Sequence, residues 1–285
     1  MIGVIGLGNM GLSMAINLKT KGEKIQGYDI SAASQDRARA QGIDVCADVK
    51  SLIEQVDIVI LSLPKADSVL DICLGEQGII AFGQAGLVVI DTSTSTAKTS
   101  QTIAHAFKEK NMVFMDAPVS GGPQGALAGT MSMVIGATKA DYQRMVPLFD
   151  KMSAKHCRIG EVGAGNITKI GNNLLVAANL LLVAEVVSMA AQAGVEAQPF
   201  LQGINQGSGR SAVSEVNFTK WILPQAYDSG FTMALMRKDV ALANELLQGK
   251  DGLIAQVIER WATSQTLSDE EDFNAIVKLV DDKLF

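Results

Sequence analysis

Three glycines stand at the spacing that lets a backbone approach a phosphate group. Gly6, Gly8 and Gly11 directly follow a strand-like run and open a helix-like stretch. The first permits a tight turn, the second lets backbone approach a pyrophosphate, and the third allows close packing of helix on strand. The helix N-terminus adds free N–H groups and positive dipole. The loop predicts a dinucleotide site in which Asn9 and Met10 line the phosphates through their backbone.

An acidic residue follows these glycines at the distance expected for a ribose contact. Asp29 ends the second strand-like run, where NAD enzymes bind the hydroxyls of the adenosine ribose. Its charge would repel a 2′-phosphate, and the next residue, Ile30, is not an arginine that could bind one. We therefore expect NAD rather than NADP. A Rossmann-like methyltransferase would also use glycines and an acid here, so these residues alone do not establish redox chemistry.

A lysine and two asparagines mark a polar face on a later helical stretch. Lys169 and Asn173 are four residues apart, so they project from one helix face about one turn apart. Asn172, three residues from Lys169, flanks the same face, and spacing alone does not exclude it. The segment soon becomes almost wholly apolar, where a buried ammonium is costly unless it has a partner or a task. That face could meet one ligand.

A turn with paired glycines follows another strand-like run. Residues 116–122 read DAPVSGG. Pro118 makes the turn rigid, and Gly121 and Gly122 let N–H groups approach an anion without obstruction by a Cβ atom. An anion-binding turn and a purely structural turn both fit this segment taken alone.

The first half of the chain supplies a pattern of elements that could position these residues. Short apolar runs alternate with helix-like stretches such as residues 10–21, which predicts βαβ units and a parallel sheet. The strand-like runs cover residues 2–5, 24–28, 58–61, 88–90, 113–115 and 132–135. A helix over residues 140–151 completes the first domain.

The second half changes to long helical periods, and strand alternation disappears after Gly163. The expected helices cover residues 167–193, 199–204, 214–221, 231–247, 253–264 and 274–284. We therefore predict an α/β protein with a doubly wound Rossmann domain over residues 1–162 and an all-α domain over residues 163–285.

Four separated motifs resemble the β-hydroxyacid dehydrogenase family, in particular the 3-hydroxyisobutyrate dehydrogenase group, which is related to 6-phosphogluconate dehydrogenase. They are GLGNMG at residues 6–11, DAPVSGG at 116–122, GAGNITKIGNN at 163–173 and LMRKD at 235–239. The resemblance implies an oxidoreductase that transfers a hydride between a nicotinamide cofactor and a small β-hydroxy acid or the corresponding semialdehyde. It does not choose among substrates such as 3-hydroxyisobutyrate, tartronate semialdehyde or threonate.

The resemblance also implies roles for matching residues. Lys169 would hydrogen-bond the reacting oxygen, donate a proton as hydride reaches the carbonyl, and accept one in the oxidation direction. Asn173, rather than its neighbour, would position the substrate. The substrate carboxylate would bind the hydroxyl of Ser120 and backbone N–H groups of Gly121 and Gly122.

Further positions match the family more weakly. Lys238 would lie near the cofactor, and Phe231 and Asp239 near the substrate, although a Lys–Asp pair on a helix is often simply solvated. Positions after two strands match family residues that touch the cofactor at the C-terminal edge of the sheet: Leu63, Pro64 and Thr94.

Composition limits the possible partners. The net charge is −6 and the pI is about 5.0, with Lys and Arg scattered, so nucleic acid and anionic membrane are not expected. The chain reaches a strand pattern with no signal segment before it, which predicts a cytoplasmic protein. No His, Cys, Asp and Glu have metal-ligand spacing, so we expect no metal. The most apolar stretch, residues 174–184, is shorter than the roughly 20 residues of a membrane span.

The sequence also bears on three alternative functions and on the oligomeric state. A catalytically idle dinucleotide-binding sensor or scaffold would not need the lysine, the asparagine and the Ser-Gly-Gly turn together. A decarboxylating enzyme of sugar-acid phosphates would be longer and more basic, and an imine reductase would typically have a different residue in place of Lys169.

The helix predicted over residues 167–193 has more apolar face than one small domain covers, which predicts a homodimer or homotetramer.

Overall fold

The computed structural model describes residues 1–247 and 251–285. It divides into two compact units, Met1–Lys169 and Ile170–Phe285. One helix, α9, runs from Ala164 to Gln192 and is continuous across this division. The domain boundary expected after residue 162 stays a prediction of the sequence.

The first unit contains a nine-stranded sheet. Its strands are β1 (Ile2–Ile5), β2 (Ile25–Tyr28), β3 (Asp44–Val45), β4 (Ile58–Leu61), β5 (Val88–Asp91), β6 (Val113–Asp116), β7 (Val119–Ser120), β8 (Met131–Gly136) and β9 (Ser153–Gly160). They lie in the order β3-β2-β1-β4-β5-β6-β8-β7, with β9 also paired to β8. Strands β1 to β6 are parallel, whereas β8 is antiparallel to β6 and β7. The order 3-2-1-4-5-6 is that of a doubly wound dinucleotide-binding sheet.

Helices cover both faces of this sheet. They are α1 (Asn9–Thr20), α2 (Ala32–Ala40), α3 (Val49–Ile53), α4 (Ala66–Leu74), α5 (Ile79–Phe82), α6 (Ala97–Glu109), α7 (Gly122–Ala128) and α8 (Lys139–Met152). Alternate strand residues enter two separate apolar cores: Val4 and Ile60 belong to one, and Ile5 and Leu61 to the other. Burial on both faces explains why the central strands are continuous apolar runs rather than alternating ones.

The second unit is helical. It comprises most of α9, then α10 (Ala197–Asn205), a π-helix (Val213–Ile222), α11 (Met233–Leu247), α12 (Leu253–Ala262) and a 3-10 helix (Phe273–Leu279). Trp261 is fully buried in its core and donates a hydrogen bond from Nε1 to the carbonyl oxygen of Ala177 at 3.2 Å. The predicted class, a Rossmann-like α/β unit followed by helices, is confirmed.

Several local predictions differ from the structure. Residues 214–221 lie in a π-helix rather than an α-helix, and the helix expected over 274–284 is a short 3-10 helix. Strands β3 and β7 have two residues each, too few to show a period. Strand β9 is mostly polar and half exposed, so its pairing with β8 depends on tertiary context rather than on its apolar pattern.

Helix α9 is longer than the apolar stretch inside it. Over residues 1–247 and 251–285, it is the one helix long and apolar enough to cross a membrane, with a mean hydropathy of 2.2 across an 18-residue window. The 29 residues of α9 therefore exceed the roughly 20 that a span needs. A single such helix is weak support for a span, because core helices of soluble proteins have the same properties, and 44% of that window is buried.

Candidate functional site

In the glycine loop between β1 and α1, two glycines lie where the packing of the backbone leaves no room for a side chain. Gly6 has φ +90°, and a Cβ atom there would lie 2.2 Å from the Ser62 carbonyl oxygen. A Cβ on Gly11 would lie 1.8 Å from the Gly6 oxygen. Gly8 differs, because a Cβ there would meet nothing within 4 Å. Gly8 precedes the first turn of α1 and has no side chain to cap it, so this position is open to an anion.

Asp29 fastens the glycine loop to the end of β2. Its Oδ2 accepts a hydrogen bond from the Leu7 N–H at 2.6 Å, and its Oδ1 accepts one from the Ser31 N–H at 2.8 Å. Asp29 thus has a structural role in addition to the ribose contact expected from the sequence. Arg37, which no sequence motif indicates, also reaches this loop, since its Nη1 lies 3.5 Å from Asn9 Oδ1.

The other predicted cofactor residues follow neighbouring strands. Leu63 and Pro64 come after β4, and Thr94 comes after β5. The Leu63 N–H donates to Ser93 Oγ at 2.9 Å, which joins these two loops. Because β2, β1, β4 and β5 are adjacent and parallel, their carboxyl ends meet at one edge of the sheet. Met10, half-buried in the first turn of α1, lies at this same edge.

The predicted lysine and serine are in contact. Lys169 is 9% exposed, and its Nζ donates a hydrogen bond to Ser120 Oγ at 2.9 Å. Gly121 and Gly122, which follow the serine, have φ angles of +126° and +63°. These angles suit glycine. The structure therefore places a buried ammonium beside the hydroxyl that ends β7 and begins this turn.

A buried carboxylate behind this pair was not predicted. Asp116 is fully buried, and its two oxygens accept hydrogen bonds from the N–H groups of Gly163 at 2.7 Å and Asn166 at 2.8 Å. Burial raises the pKa of this carboxyl from its ordinary value of 3.8, and the backbone hydrogen bonds oppose that rise. Glycines make the space, since a Cβ on Gly136 would lie 2.2 Å from Asp116 Oδ1.

Asn166 connects the same turn of α9 to the loop after β5. It is fully buried; its Oδ1 accepts from the Ser95 N–H at 2.9 Å, and its Nδ2 donates to Ser100 Oγ at 3.0 Å. Asp116 and Asn166 lie inside two of the sequence motifs. Their types alone resemble turn and cap residues, and only their burial distinguishes them.

A second polar cluster lies in the helical unit. Asn173 is buried and donates from Nδ2 to Asp239 Oδ2 at 2.5 Å. Asp239 is 1% exposed, and its Oδ1 lies 3.2 Å from Lys238 Nζ. Asn172 is exposed and donates to Asn173 Oδ1 at 3.1 Å. The structure thus brings Asn173, Lys238 and Asp239 together, while Asn172 lies at the margin of the cluster.

Phe231 has a different set of partners. Its ring packs edge to face against Phe273, with 5.3 Å between ring centroids. The loop before it is held by Asp272, whose Oδ2 accepts from the Ser229 N–H at 2.7 Å. No group of three His, Cys, Asp or Glu residues in the described ranges, 1–247 and 251–285, could hold a metal ion.

Two family models match the chain. The NAD binding domain of 6-phosphogluconate dehydrogenase matches residues 1–170, and the NAD-binding domain of NADP-dependent 3-hydroxyisobutyrate dehydrogenase matches residues 163–280. The descriptions of both models name binding of the nicotinamide dinucleotide. The redox expectation and the nicotinamide cofactor are thereby confirmed, with NAD as the cofactor of the family.

Individual proteins agree with these matches over nearly full length. A 2-(hydroxymethyl)glutarate dehydrogenase of Eubacterium barkeri is 33% identical, with 98% of this chain and 94% of that protein covered. An NAD-dependent L-serine dehydrogenase of Pseudomonas aeruginosa is 31% identical, with 98% and 97% covered. The solved structure of Mycobacterium tuberculosis 3-hydroxyisobutyrate dehydrogenase with L-serine has a TM-score of 0.90 and 27% identity, with 98% of each chain covered.

The raised pKa of Asp116 predicts a pH dependence of stability. The folded state binds this proton more tightly than the unfolded state, so the added stability is present below pH 3.8 and is lost as pH rises through the folded pKa. Wild type should therefore gain free energy of unfolding relative to Asp116→Asn as pH falls from about 7 to 4, by about 1.4 kcal/mol per unit of pKa rise. Urea unfolding at both pH values measures this.

Asp48→Asn is the matched control with the opposite sign. Asp48 caps α3 through the Ser51 N–H, and this bond lowers the pKa of its carboxyl. Its contribution is therefore fully present above pH 3.8 and is lost only as pH falls through the lowered folded pKa, so the Asp48→Asn difference should stay constant between pH 7 and 4. An Asp116 difference that also stays constant over this range, or that shrinks on acidification, would contradict the prediction.

Proposed function

Because the chain belongs to the 3-hydroxyisobutyrate dehydrogenase group of the β-hydroxyacid dehydrogenase family, and is an NAD(P)-dependent oxidoreductase of small hydroxy acids, we propose that Lys169 is its general acid and base. The observation that carries this proposal is the 2.9 Å hydrogen bond from the buried Lys169 Nζ to Ser120 Oγ. A buried ammonium with a hydroxyl partner is poised to exchange that partner for a substrate oxygen.

We propose a common chemical form for the substrate. The compounds named for the related proteins, 2-(hydroxymethyl)glutarate, L-serine and 3-hydroxyisobutyrate, share a carboxylate whose neighbouring carbon bears a hydroxymethyl group. They differ only in the third group on that carbon. The substrate proposed for this chain is therefore HOCH₂–CH(R)–COO⁻, and the product is the semialdehyde OHC–CH(R)–COO⁻.

Each part of this substrate has a proposed partner. The carboxylate accepts hydrogen bonds from Ser120 Oγ and from the N–H groups of Gly121 and Gly122. The neutral amine of Lys169 takes the hydroxyl proton as the C–H bond breaks and the carbonyl forms, and in reduction its ammonium returns that proton. Bound NAD supplies the hydride acceptor. Carboxylate binding and proton transfer are thus assigned to neighbouring residues, since Lys169 hydrogen-bonds Ser120.

The buried cluster of the helical unit also has proposed roles. Asn173 would position the substrate, and Asp239 holds the Asn173 amide at 2.5 Å. Lys238, 3.2 Å from the same carboxylate, would contact the cofactor. Phe231 would contact the group R, since its ring is only half-buried. Asn172, which is exposed, has no assigned role.

The sheet edge of the first unit fits a dinucleotide. Gly8 leaves space where a pyrophosphate would approach the first turn of α1, whereas Gly6 and Gly11 are required by the loop itself. Asp29 would accept hydrogen bonds from the adenosine ribose. The remaining proposed cofactor residues are Asn9, Met10, Leu63, Pro64 and Thr94. We propose NAD rather than NADP, because a 2′-phosphate would meet the Asp29 carboxylate.

The first experiment is an absorbance assay of the nicotinamide. Purified protein is mixed with NAD or NADP and with 3-hydroxyisobutyrate, L-serine, 2-(hydroxymethyl)glutarate and their parent, 3-hydroxypropionate. Turnover of at least one compound is expected. NAD binding without turnover of any of these acids would favour a dinucleotide-binding sensor instead.

Removing the Lys169 amine should stop the chemistry but spare cofactor binding. We expect Lys169→Ala to lower kcat by about 10²–10⁴-fold, the usual range for a general acid or base, with the Kd for NAD unchanged. Steady-state kinetics and a binding titration measure the two effects. Lys155→Ala, at an exposed position of β9, is the control and should keep wild-type kinetics. An equal loss of NAD affinity in Lys169→Ala would overturn the assignment.

Removing the Asp29 carboxylate should shift cofactor preference. Asp29→Ala is expected to raise the ratio of Kd for NAD to Kd for NADP by about tenfold, because ribose hydrogen bonds and repulsion of the 2′-phosphate are lost together. The substitution also removes the hydrogen bonds of Asp29 to the Leu7 and Ser31 N–H groups. Their loss should weaken the binding of NAD and NADP equally, so it cancels in the ratio of the two Kd values. Arg37→Ala tests the nearby guanidinium separately. An unchanged ratio in Asp29→Ala would remove the ribose argument.

We also propose that the chain is a cytoplasmic homodimer or homotetramer assembled through α9. Five large apolar side chains of this helix are 37% to 66% exposed. Ile167 lies near its start, and the other four recur at intervals of seven, four and three residues: Leu175, Leu182, Val186 and Met189. Such spacing places them in one stripe along the helix. An identical stripe on a second copy would bury it.

A charge in the stripe should prevent assembly. Leu182→Glu is expected to convert the oligomer to monomer in sedimentation at micromolar concentration, because an unpaired carboxylate in an apolar interface is costly. Leu253→Glu, at a 64% exposed position of α12 outside the stripe, should keep the wild-type assembly. Wild-type protein that is monomeric at that concentration would refute the oligomer.

A further inference from the structure

The first turn of α9 is capped by a residue from far away in the sequence. Gly163 precedes the helix with φ +101° and has no side chain. The first N–H groups of a helix need acceptors from outside the helix, and the Asp116 carboxylate supplies two of them. A carboxylate at this place also interacts favourably with the helix dipole.

The same aspartate ends the strand that leads to the serine. Asp116 is the last residue of β6, and Ser120 follows it after a short connection that contains the rigid Pro118. On the other side, Lys169 is five residues into α9, about 7.5 Å along the helix axis from its first residue. Both partners of the Lys169–Ser120 hydrogen bond are thus connected to Asp116 by short, stiff segments.

The surroundings leave the carboxylate little freedom. A Cβ on Gly165 would lie 2.9 Å from Asp116 Oδ2 and 2.7 Å from the Asp116 and Val134 carbonyl oxygens. On the other side of the carboxylate, a Cβ on Gly136 would lie 2.2 Å from Asp116 Oδ1. Close packing on both sides fixes the first turn of α9 against the end of β6.

We propose that Asp116 is a positioning residue for the reaction: its carboxylate holds the first turn of α9 so that Lys169 Nζ stays within hydrogen-bond distance of Ser120 Oγ and of the substrate oxygen. This inference rests on the function proposed for Lys169. Asp116 does not touch the substrate; it acts through the placement of the lysine. A displacement of about 1 Å at a reacting group can cost about 10²-fold in rate.

A double-mutant cycle separates positioning from simple stabilisation. Asp116→Asn keeps the shape but loses one acceptor, and Ser120→Ala removes the partner of the lysine. We expect Asp116→Asn to lower kcat at least tenfold, with the Kd for NAD unchanged. In that background Ser120→Ala should cost clearly less than it costs in wild type, because the pair is already disturbed.

Asp48→Asn is the control for the cycle, since Asp48 also caps a helix through a backbone N–H. Its effect on kcat and that of Ser120→Ala should simply multiply. If the fold-reductions in kcat caused by Asp116→Asn and by Ser120→Ala also multiply in the double variant, the proposal is overturned.

A second variant guards against misfolding of Asp116→Asn. Gly165→Ala adds a Cβ that must push the first turn of α9 away from the carboxylate, while all polar groups remain. Gly171→Ala lies on the same helix, and its Cβ would meet nothing within 4 Å. Reduced kcat in Gly165→Ala with normal kcat in Gly171→Ala supports the proposal, and equal kcat in both variants contradicts it.

Hydrogen exchange distinguishes failure of this inference from failure of the proposed function. If wild type oxidises none of the tested acids, the function proposed for Lys169 fails, and exchange in residues 163–169 still tests the cap. Faster exchange of that segment in Asp116→Asn than in Asp48→Asn supports the anchoring of α9 by Asp116. Equal exchange overturns it.

Discussion

Burial of the Lys169 ammonium is the constraint on which the arrangement of the first unit depends. An ammonium out of water is unfavourable unless its charge meets hydrogen-bond acceptors. The Ser120 hydroxyl provides one at 2.9 Å, and that contact requires the end of β7 and the second turn of α9 to be held together. Asp116, at the end of β6, accepts a hydrogen bond from the Asn166 N–H in the first turn of α9, and the Asn166 side chain donates to Ser100 Oγ.

The sheet brings the proposed cofactor residues together at one of its edges. Loops after adjacent parallel strands meet at their carboxyl ends, which is where doubly wound sheets bind ligands. Asp29, Leu7 and Ser93 fasten these loops to one another through backbone N–H groups. These two hydrogen bonds restrict the conformations open to the loops. At Gly8 a side chain would meet no other atom of the protein within 4 Å, so the loop itself does not require glycine there.

The sequence was most informative where local pattern and global fold agree. Strands β1 and β4 are packed on both sheet faces, so each coincides with an uninterrupted apolar run, and the ends of the run mark the ends of the strand. Strand β9 and the π-helix were not predicted, because one depends on a neighbouring strand and the other on an unusual hydrogen-bond register. Motifs singled out Lys169, Ser120, Asn173 and Asp239 one by one. Their pairing, Lys169 with Ser120 and Asn173 with Asp239, is visible only in the structure. Asp116 and Asn166 lay in the same motifs and were missed, since capping of α9 by a distant carboxylate has no local sequence signal.

A crystal structure of the unreactive complex with NADH and a hydroxy acid that the protein oxidises tests the role of Lys169 most directly. We expect the substrate hydroxyl oxygen within about 2.6–3.2 Å of Lys169 Nζ, with the carboxylate on Ser120, Gly121 and Gly122. A bound acid whose hydroxyl lies away from Lys169, or whose carboxylate is held by other residues, would contradict it.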